Sequence, residues 1–250
     1  MRRTYAIIPA AGLSTRMGST TSGQARKQLA EIGGAPILVH TLRVFDRCGS
    51  IERLLVPVRP EDRELVAARV EAEHFAHPVE VLEGGRARQD SVWNAVQRVL
   101  EHERGRAASE AGAVLVAIHD AVRPFVEAEI IARALAAAER HPAVIVGVPA
   151  VDTIKQVERA GADSNRVTAT LQRERIVLAQ TPQVFHLELL LRGFEHARGD
   201  GFYGSDEAAL IEHLGEDVFV VPGSSRNWKI TTPSDLPLAE MLLAAAAHSA

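Results

Sequence analysis

Small residues and fixed positive charge meet near the start of this chain. An apolar run, Tyr5–Ile8, ends in Pro9-Ala10-Ala11-Gly12, and Arg16 and Lys27 follow. Small side chains let backbone approach a ligand closely. Successive amides in such a turn can aim at phosphate oxygens. This is the chemistry of a cradle for a nucleoside triphosphate. Two standard phosphate signatures do not match it. The dinucleotide fingerprint needs three closely spaced glycines and an acid after the second strand, where this chain has Val56-Pro-Val-Arg-Pro60. The P-loop needs Gly-Lys-Ser/Thr, whereas Gly18 precedes Ser19. Taken alone, the segment reads equally well as a small-residue turn with solvated cations.

Later segments carry related chemistry. Gly84-Gly85 would admit a flat base, and Ser91 offers a ligand hydroxyl or a helix cap. In His119-Asp-Ala-Val-Arg-Pro124, Asp120 suits a Mg²⁺ ligand or a substrate-hydroxyl acceptor. Arg123 suits a second phosphate, or a buried pair with Asp120. Asp152-Thr-Ile-Lys155 and Gln172-Arg173 flank a polar stretch that reads equally as a solvated hairpin. In Asn227-Trp-Lys-Ile-Thr231 the alternation turns Lys229 away from Trp228 and Ile230, and an inward lysine needs an anionic partner. A Gly-x-Ser-x-Gly elbow is lacking, which disfavours covalent catalysis. The histidines show metal-like spacing only at His74 and His77, and that pair reads as surface.

The elements that must position these residues alternate. Tyr5–Ile8, Leu54–Pro57, Val79–Leu82, Val114–Ile118 and Val144–Val148 read as buried strands. Between them Ile37–Phe45, Glu61–Phe75, Ser91–Glu103 and Ala128–Arg140 have helical spacing. The expectation is an α/β fold, a mainly parallel sheet with helices on both faces. Asp152–Thr170 breaks the pattern and predicts a projecting β-arm around Gly161-Ala-Asp-Ser-Asn165. Helices resume at Leu187–Ala197 and Asp206–Leu214, Val218–Val221 is a final strand, and Pro233 opens a last helix through Ala247. We expect one domain over 1–250, with 152–172 protruding.

Composition narrows the classes. The chain has 250 residues and a net charge of −4, from 28 basic and 32 acidic residues. A general nucleic-acid binder should be basic, so no nucleic-acid partner is expected. The one cysteine, Cys48, makes neither an intrachain disulfide nor a cysteine-based zinc site. No apolar run has the length of a membrane span or a signal-peptide core. A cytoplasmic protein without membrane contact is the expectation.

Taken in order, the segments resemble the 2-C-methyl-D-erythritol 4-phosphate cytidylyltransferases of the non-mevalonate isoprenoid pathway, from Ala6 to about Leu242. The carrying motifs are Pro9-Ala-Ala-Gly with Arg16-Met17, Lys27-Gln28, Gly85 with Arg88 and Asp90-Ser-Val92, and His119-Asp-Ala with Arg123-Pro124. Asp152-Thr-Ile-Lys155, Gln180-Thr-Pro-Gln183, Ser205-Asp-Glu207 and Asn227 with Lys229-Ile-Thr231 complete them. Any one is weak, but their joint order is specific. The resemblance implies a Rossmann-like sheet of the nucleotide-diphospho-sugar transferase type. It implies a CTP-dependent reaction with Mg²⁺ that releases pyrophosphate by direct in-line attack on the α-phosphorus.

The resemblance also distributes roles. Arg16 and Lys27 match positions that stabilise the transition state, and Arg173 and Lys229 match positions that hold the substrate phosphate. Pro9, Ala10, Ala11, Gly12, Gly85 and Ser91 match CTP contacts. Asp120, Arg123 and Thr153 match substrate contacts, and Ala121 and Thr231 fall within the same binding motifs. The family is a homodimer with interlocking arms, in which Thr153 and Arg173 serve the partner's site. This chain departs from the family pattern in having Ser14 for glycine, Arg26 for proline, Gln172 for aspartate and Ser205 for threonine. Its Ser19–Ala25 stretch is also longer, so the resting position of that loop is expected to differ, with mobility before CTP binds. Ribitol-5-phosphate cytidylyltransferase shares the Asp-Ala-Val-Arg-Pro-Phe run, but Lys155 favours methylerythritol phosphate. A nucleotide-binding regulator on the same fold would predict lost cations, and all four are present. No fused cyclodiphosphate synthase domain is expected.

Overall fold

The structure is a computed structural model that describes residues 2–12, 19–20, 23–24, 26–106, 114–161 and 163–247. Arg16 and most of the stretch from Leu13 to Ala25 lie outside the described residues, as does the expected behaviour of that loop.

The central sheet is seven-stranded. Its strands are β1 (Thr4–Ile7), β2 (Ile51–Val58), β3 (Val79–Glu83), β4 (Leu115–Ile118), β5 (Ala143–Pro149), β8 (Val177–His186) and β9 (Phe219–Pro222); β6 (Lys155–Arg159) and β7 (Asn165–Thr170) form a separate ribbon. The sheet order is β9-β5-β8-β4-β1-β2-β3. Only β8 runs antiparallel to its neighbours, β4 and β5; the other pairings are parallel. The helices are α1 (Ile37–Asp46), α2 (Arg63–Glu71), α3 (Arg88–Glu103), α4 (Ala128–Ala138), α5 (Leu187–Asp200), α6 (Glu207–His213) and α7 (Asp235–Ala247).

The period-2 alternation of β1 explains the layering. Ala6 and Ile8 face one core with Leu42 and Phe45 of α1 and Ile131 of α4. Tyr5 and Ile7 face the opposite core with Val92 and Val96 of α3 and Leu190 and Phe194 of α5. Both sheet faces are thus covered, as parallel strands require. Each fully buried Leu, Ile or Phe contributes roughly 1.5–3 kcal/mol. A small third cluster joins Ile32, Ile37 and Val122 to Ile230 and to Ala239 of α7, and so anchors the segment that carries Lys229.

Three boundaries differ from expectation for local reasons. Helix α2 stops at Glu71 rather than Phe75, because the Asp46 carboxylate accepts the Ala76 and His77 amides and turns the chain. Helix α3 starts at Arg88, ahead of Ser91, because the Asp90 carboxylate accepts the Ala87 amide. The last helix begins at Asp235, not Pro233; the Asp235 carboxylate accepts the Thr231 and Thr232 amides. Strand β8 has no counterpart among the expected elements. The residues of the ribbon β6–β7 are exposed but for half-buried Ala169, and antiparallel, with Lys155 opposite Thr170.

Candidate active site

The chain leaves β1 for β2 and β3 on one side of the sheet, then returns to place β4 on the other side of β1. Ligands of open α/β sheets bind beyond strand carboxyl ends at such a switch point. An open cleft of about 190 Å³ lies there. Pro9–Gly12 after β1 and Asp120–Val122 after β4 line it, together with Lys27, Gln28, Arg88, Ser91, Lys229 and Thr231.

The first wall is fixed by backbone bonds. The Ala10 amide donates to Pro57 O at 2.9 Å, and the Ala10 carbonyl accepts Gln28 Nε2 at 2.7 Å. Both backbone groups of Ala10 are therefore engaged within the protein. Gln28 is the device that holds Lys27 beside the loop. A Cβ on Gly84 would stand 2.6 Å from Ala11 Cβ, and one on Gly85 would stand 2.3 Å from Asp90 Cβ. The glycine pair therefore lets the β3 end pack against the first loop and α3. Ser91 lies inside the first helical turn rather than at the cap. Its hydroxyl donates to Ala87 O and accepts the Gly85 amide.

Asp120 is the electrostatic hub. Lys229 Nζ lies 2.9 Å and Arg123 Nε 3.3 Å from its Oδ2, and Arg88 Nε lies 3.6 Å from its Oδ1. Burial alone would raise its pKa. The Arg88, Lys229 and Arg123 charges outweigh burial and hold the carboxyl well below the usual carboxylate range. The anionic partner expected for Lys229 is thus Asp120. Arg123 also donates to Asn227 O at 2.7 Å, so the structure gives it the buried-pair role, and it does not line the cleft. Arg88 is in turn gripped by Glu207 of α6 at 2.7 and 2.8 Å. Burial, with Asp120 and Asp206 nearby, pushes Glu207 up, and Arg88 opposes that shift.

Strand β8 supports this hub from behind. The Asp120 amide donates to Thr181 Oγ1, which contacts His119 Nδ1 at 3.0 Å. His119 Nε2 faces the Arg123 carbonyl at 3.1 Å, so Nε2 carries the proton and Nδ1 accepts from Thr181. The register of β8 slips between Gln180 and Gln183, around a cis Thr181–Pro182 bond. That slip lets Thr181 O accept the amide of buried Asn227, two residues before Lys229. Gln183 meanwhile donates to Asp206 and accepts from the Ala208 amide, which fixes α6.

The cleft brings together most of the expected residues, but not all. Gly85 touches it only through Ser91. Thr153 and Arg173 do not line it; both are exposed, and Arg173 donates to Val151 O at 2.8 Å. Arg88, Gln28 and Glu207 stood inside the quoted motifs without roles. Their pairing spans up to 119 residues and leaves no mark in local spacing.

Asp120 does not fit as a metal ligand. A divalent ion at this carboxylate would displace or face three cations within 3.6 Å. Among the described residues lining the cleft, Lys27, Arg88 and Lys229 are cations and Asp120 is the acid. Such a balance attracts a polyanion.

Residues 4–245 match the family model for 2-C-methyl-D-erythritol 4-phosphate cytidylyltransferase. The chain belongs to this family. A protein of that name from Acidobacterium capsulatum is 50% identical over 243 residues, covering 96% of this chain and 97% of its own. One from Solibacter usitatus is 48% identical over 240 residues, covering 95% and 94%. The crystal structure of the cytidylyltransferase of the same name from Thermus thermophilus superposes with a TM-score of 0.72 at 31% identity, covering 97% and 98%. The α/β nucleotidyltransferase-like fold expected from the sequence is thus the observed one, and the ribitol-5-phosphate alternative is not favoured. For a cytidylyltransferase, a cleft with converging cations and no elbow-borne nucleophile suits direct transfer between two phosphates.

Proposed function

We propose that this cleft transfers a cytidylyl group from CTP to 2-C-methyl-D-erythritol 4-phosphate through Lys27, Lys229 and the Asp120 hub, with Arg16 as a further cation. A phosphate oxygen of the acceptor forms a bond to the α-phosphorus while the bond to the β-phosphate bridging oxygen breaks. The products are 4-diphosphocytidyl-2-C-methyl-D-erythritol and pyrophosphate. Both reactants are anions, so catalysis is alignment and charge neutralisation. The observation that carries this reading is Lys229 fixed on Asp120 at 2.9 Å, beside Arg88 and opposite Lys27 in one cleft. Asp120, kept ionised, can accept a hydroxyl of the sugar alcohol. Pro9, Ala11, Gly12, Gly85, Ser91, Ala121 and Thr231 shape the nucleotide and acceptor pockets. Mg²⁺ would travel with the triphosphate as its counter-ion, not on Asp120.

The proposal includes a homodimer. Thr153 and Arg173 sit on an exposed segment away from their own cleft, together with exposed Val157 and Val167 on the ribbon, Leu171 just after it, and Val177 and Leu178 on β8. A second copy seated there would cover these apolar groups and carry Thr153 and Arg173 to the neighbouring cleft. The chain's single cysteine fits a reducing compartment, and the proposed setting is the cytoplasm. Among the described residues, no helix is long and apolar enough to cross a membrane.

Pyrophosphate release with CTP and each sugar phosphate tests the reading. Lys27→Ala is expected to lower kcat by roughly 10²–10³ while the fold persists. Turnover near that of the unsubstituted chain, or preference for ribitol 5-phosphate, would overturn it.

A further inference from the structure

Outside the cleft, the fold assembles a group that linear spacing concealed. Asp200 ends α5, and Gly201 follows in the left-handed region at φ 67°, which terminates the helix and reverses the chain. Helix α6 returns close against α5: a Cβ on Gly193 would meet Ile211 Cδ1 at 2.9 Å. This close approach sets His213 at the end of α6 beside His196 and Asp200. His213 Nε2 is 2.9 Å and His196 Nε2 3.5 Å from the same oxygen, Asp200 Oδ2. The three donor atoms all lie within 4.8 Å of one another.

We propose that His196, Asp200 and His213 form a binding site for a divalent transition metal, with Zn²⁺ as the best match. Two imidazoles and one carboxylate suit Zn²⁺, Co²⁺ or Ni²⁺ and not Mg²⁺, so the site is distinct in chemistry from the nucleotide cleft. Zn–N and Zn–O bonds of about 2.0–2.2 Å place tetrahedral donors about 3.4 Å apart, close to the two Asp200 separations. From 2.9 and 3.5 Å to Asp200, with all three donors within 4.8 Å of one another, small side-chain adjustments reach that spacing. The His213 ring is held against Phe202, stacked at 4.1 Å with 10° between planes. His196 and Asp200 are exposed, which leaves the remaining coordination position open to water. The bound ion would clamp α5 to α6 across the 201–206 turn. That turn is already tied to α3, since Gln89 bonds Phe202 O and the Gly204 amide. It leads into Glu207, the partner of Arg88.

The test uses the full chain, stripped with chelator and titrated with Co²⁺ in the absence of nucleotide. One equivalent should develop a d–d absorption band, and Zn²⁺ should displace the Co²⁺ and raise Tm. His213→Ala, His196→Gln and Asp200→Asn should each weaken binding about tenfold or more, with far-UV circular dichroism unchanged. His74→Ala, at the pair singled out by sequence spacing alone, should bind like the unsubstituted chain. No band at millimolar Co²⁺, a band indifferent to His196 and His213, or one abolished by His74→Ala would each overturn the proposal. The readouts are metal binding and Tm, so the result is independent of whether the cleft performs cytidylyl transfer.

Discussion

The imidazole of His119 has both nitrogens engaged inside the protein, by Thr181 and by the Arg123 carbonyl, and its ring lies against Phe45. Burial pulls its pKa down to about 4, and the nearby Asp120 only partly opposes this. The sign of the consequence is fixed. Between about pH 6.5 and 4 the unfolded imidazole takes up a proton that the native one refuses, so stability falls as pH falls through that window and levels below it. From pH 7 to pH 5 the loss from this residue is roughly 2 kcal/mol. Denaturant unfolding at both pH values checks it: His119→Gln should be less stable at pH 7 yet lose correspondingly less on acidification. Equal losses would show that His119 is not buried neutral. Asp120 acts with the same sign, but in a lower pH range. Its depressed pKa keeps its contribution intact above the usual carboxylate range, so the hub should hold throughout the window in which His119 weakens the fold. The supporting role of His119 was not legible in the sequence, because a histidine beside a candidate acid reads as chemistry until its neighbours are known.

At the scale of elements, the two kinds of glycine around the cleft separate packing from ligand contact. A Cβ on Gly84 would collide with Ala11 Cβ at 2.6 Å and approach Ser91 Oγ at 2.9 Å. Among the described residues, a Cβ on Gly12 would meet nothing within 4 Å. Gly84→Ala should therefore cost about 1–3 kcal/mol of stability, seen as a lowered Tm, and also raise the KM for CTP. Gly12→Ala should leave Tm unchanged and raise the KM for CTP, because no described residue occupies the space that a bound nucleotide would fill. If both variants lose stability equally, the Gly12 turn is structural and the cradle assignment fails. The parallel strands were legible because burial on both faces makes them continuous aliphatic runs. Strand β8 was not, because Gln180, Thr181, Pro182 and Gln183 interrupt its centre with polar groups and a proline, which is normally excluded from central strands. Those same residues tie down Asp120, Asn227 and α6, so the break in the pattern marks the place where the strand serves the site.

For the whole molecule, the decisive question is why Arg173 and Thr153 stand outside the cleft they are expected to serve. Arg173 is exposed and bonded to Val151 O of its own segment, while the ribbon beside it presents valines to solvent. Within one chain this arrangement leaves an apolar surface uncovered and the proposed phosphate-binding arginine away from the cleft. The proposed two-fold dimer would resolve both at once, since the same patch on each copy would cover its counterpart and each arm would supply the other cleft. Lys27, by contrast, lines the cleft of its own chain. In the proposed dimer the two residues come from different chains of one site, which gives a quantitative outcome. Lys27→Ala and Arg173→Ala chains should each be nearly inactive alone. Unfolded together and refolded as an equal mixture, about half the dimers pair the two variants. In each mixed dimer one cleft has both residues intact and the other has neither, so the mixture should recover about a quarter of the unsubstituted activity. No recovery, with sedimentation showing that mixed dimers had formed, would place Arg173 in its own chain's cleft and remove the reason for a composite site.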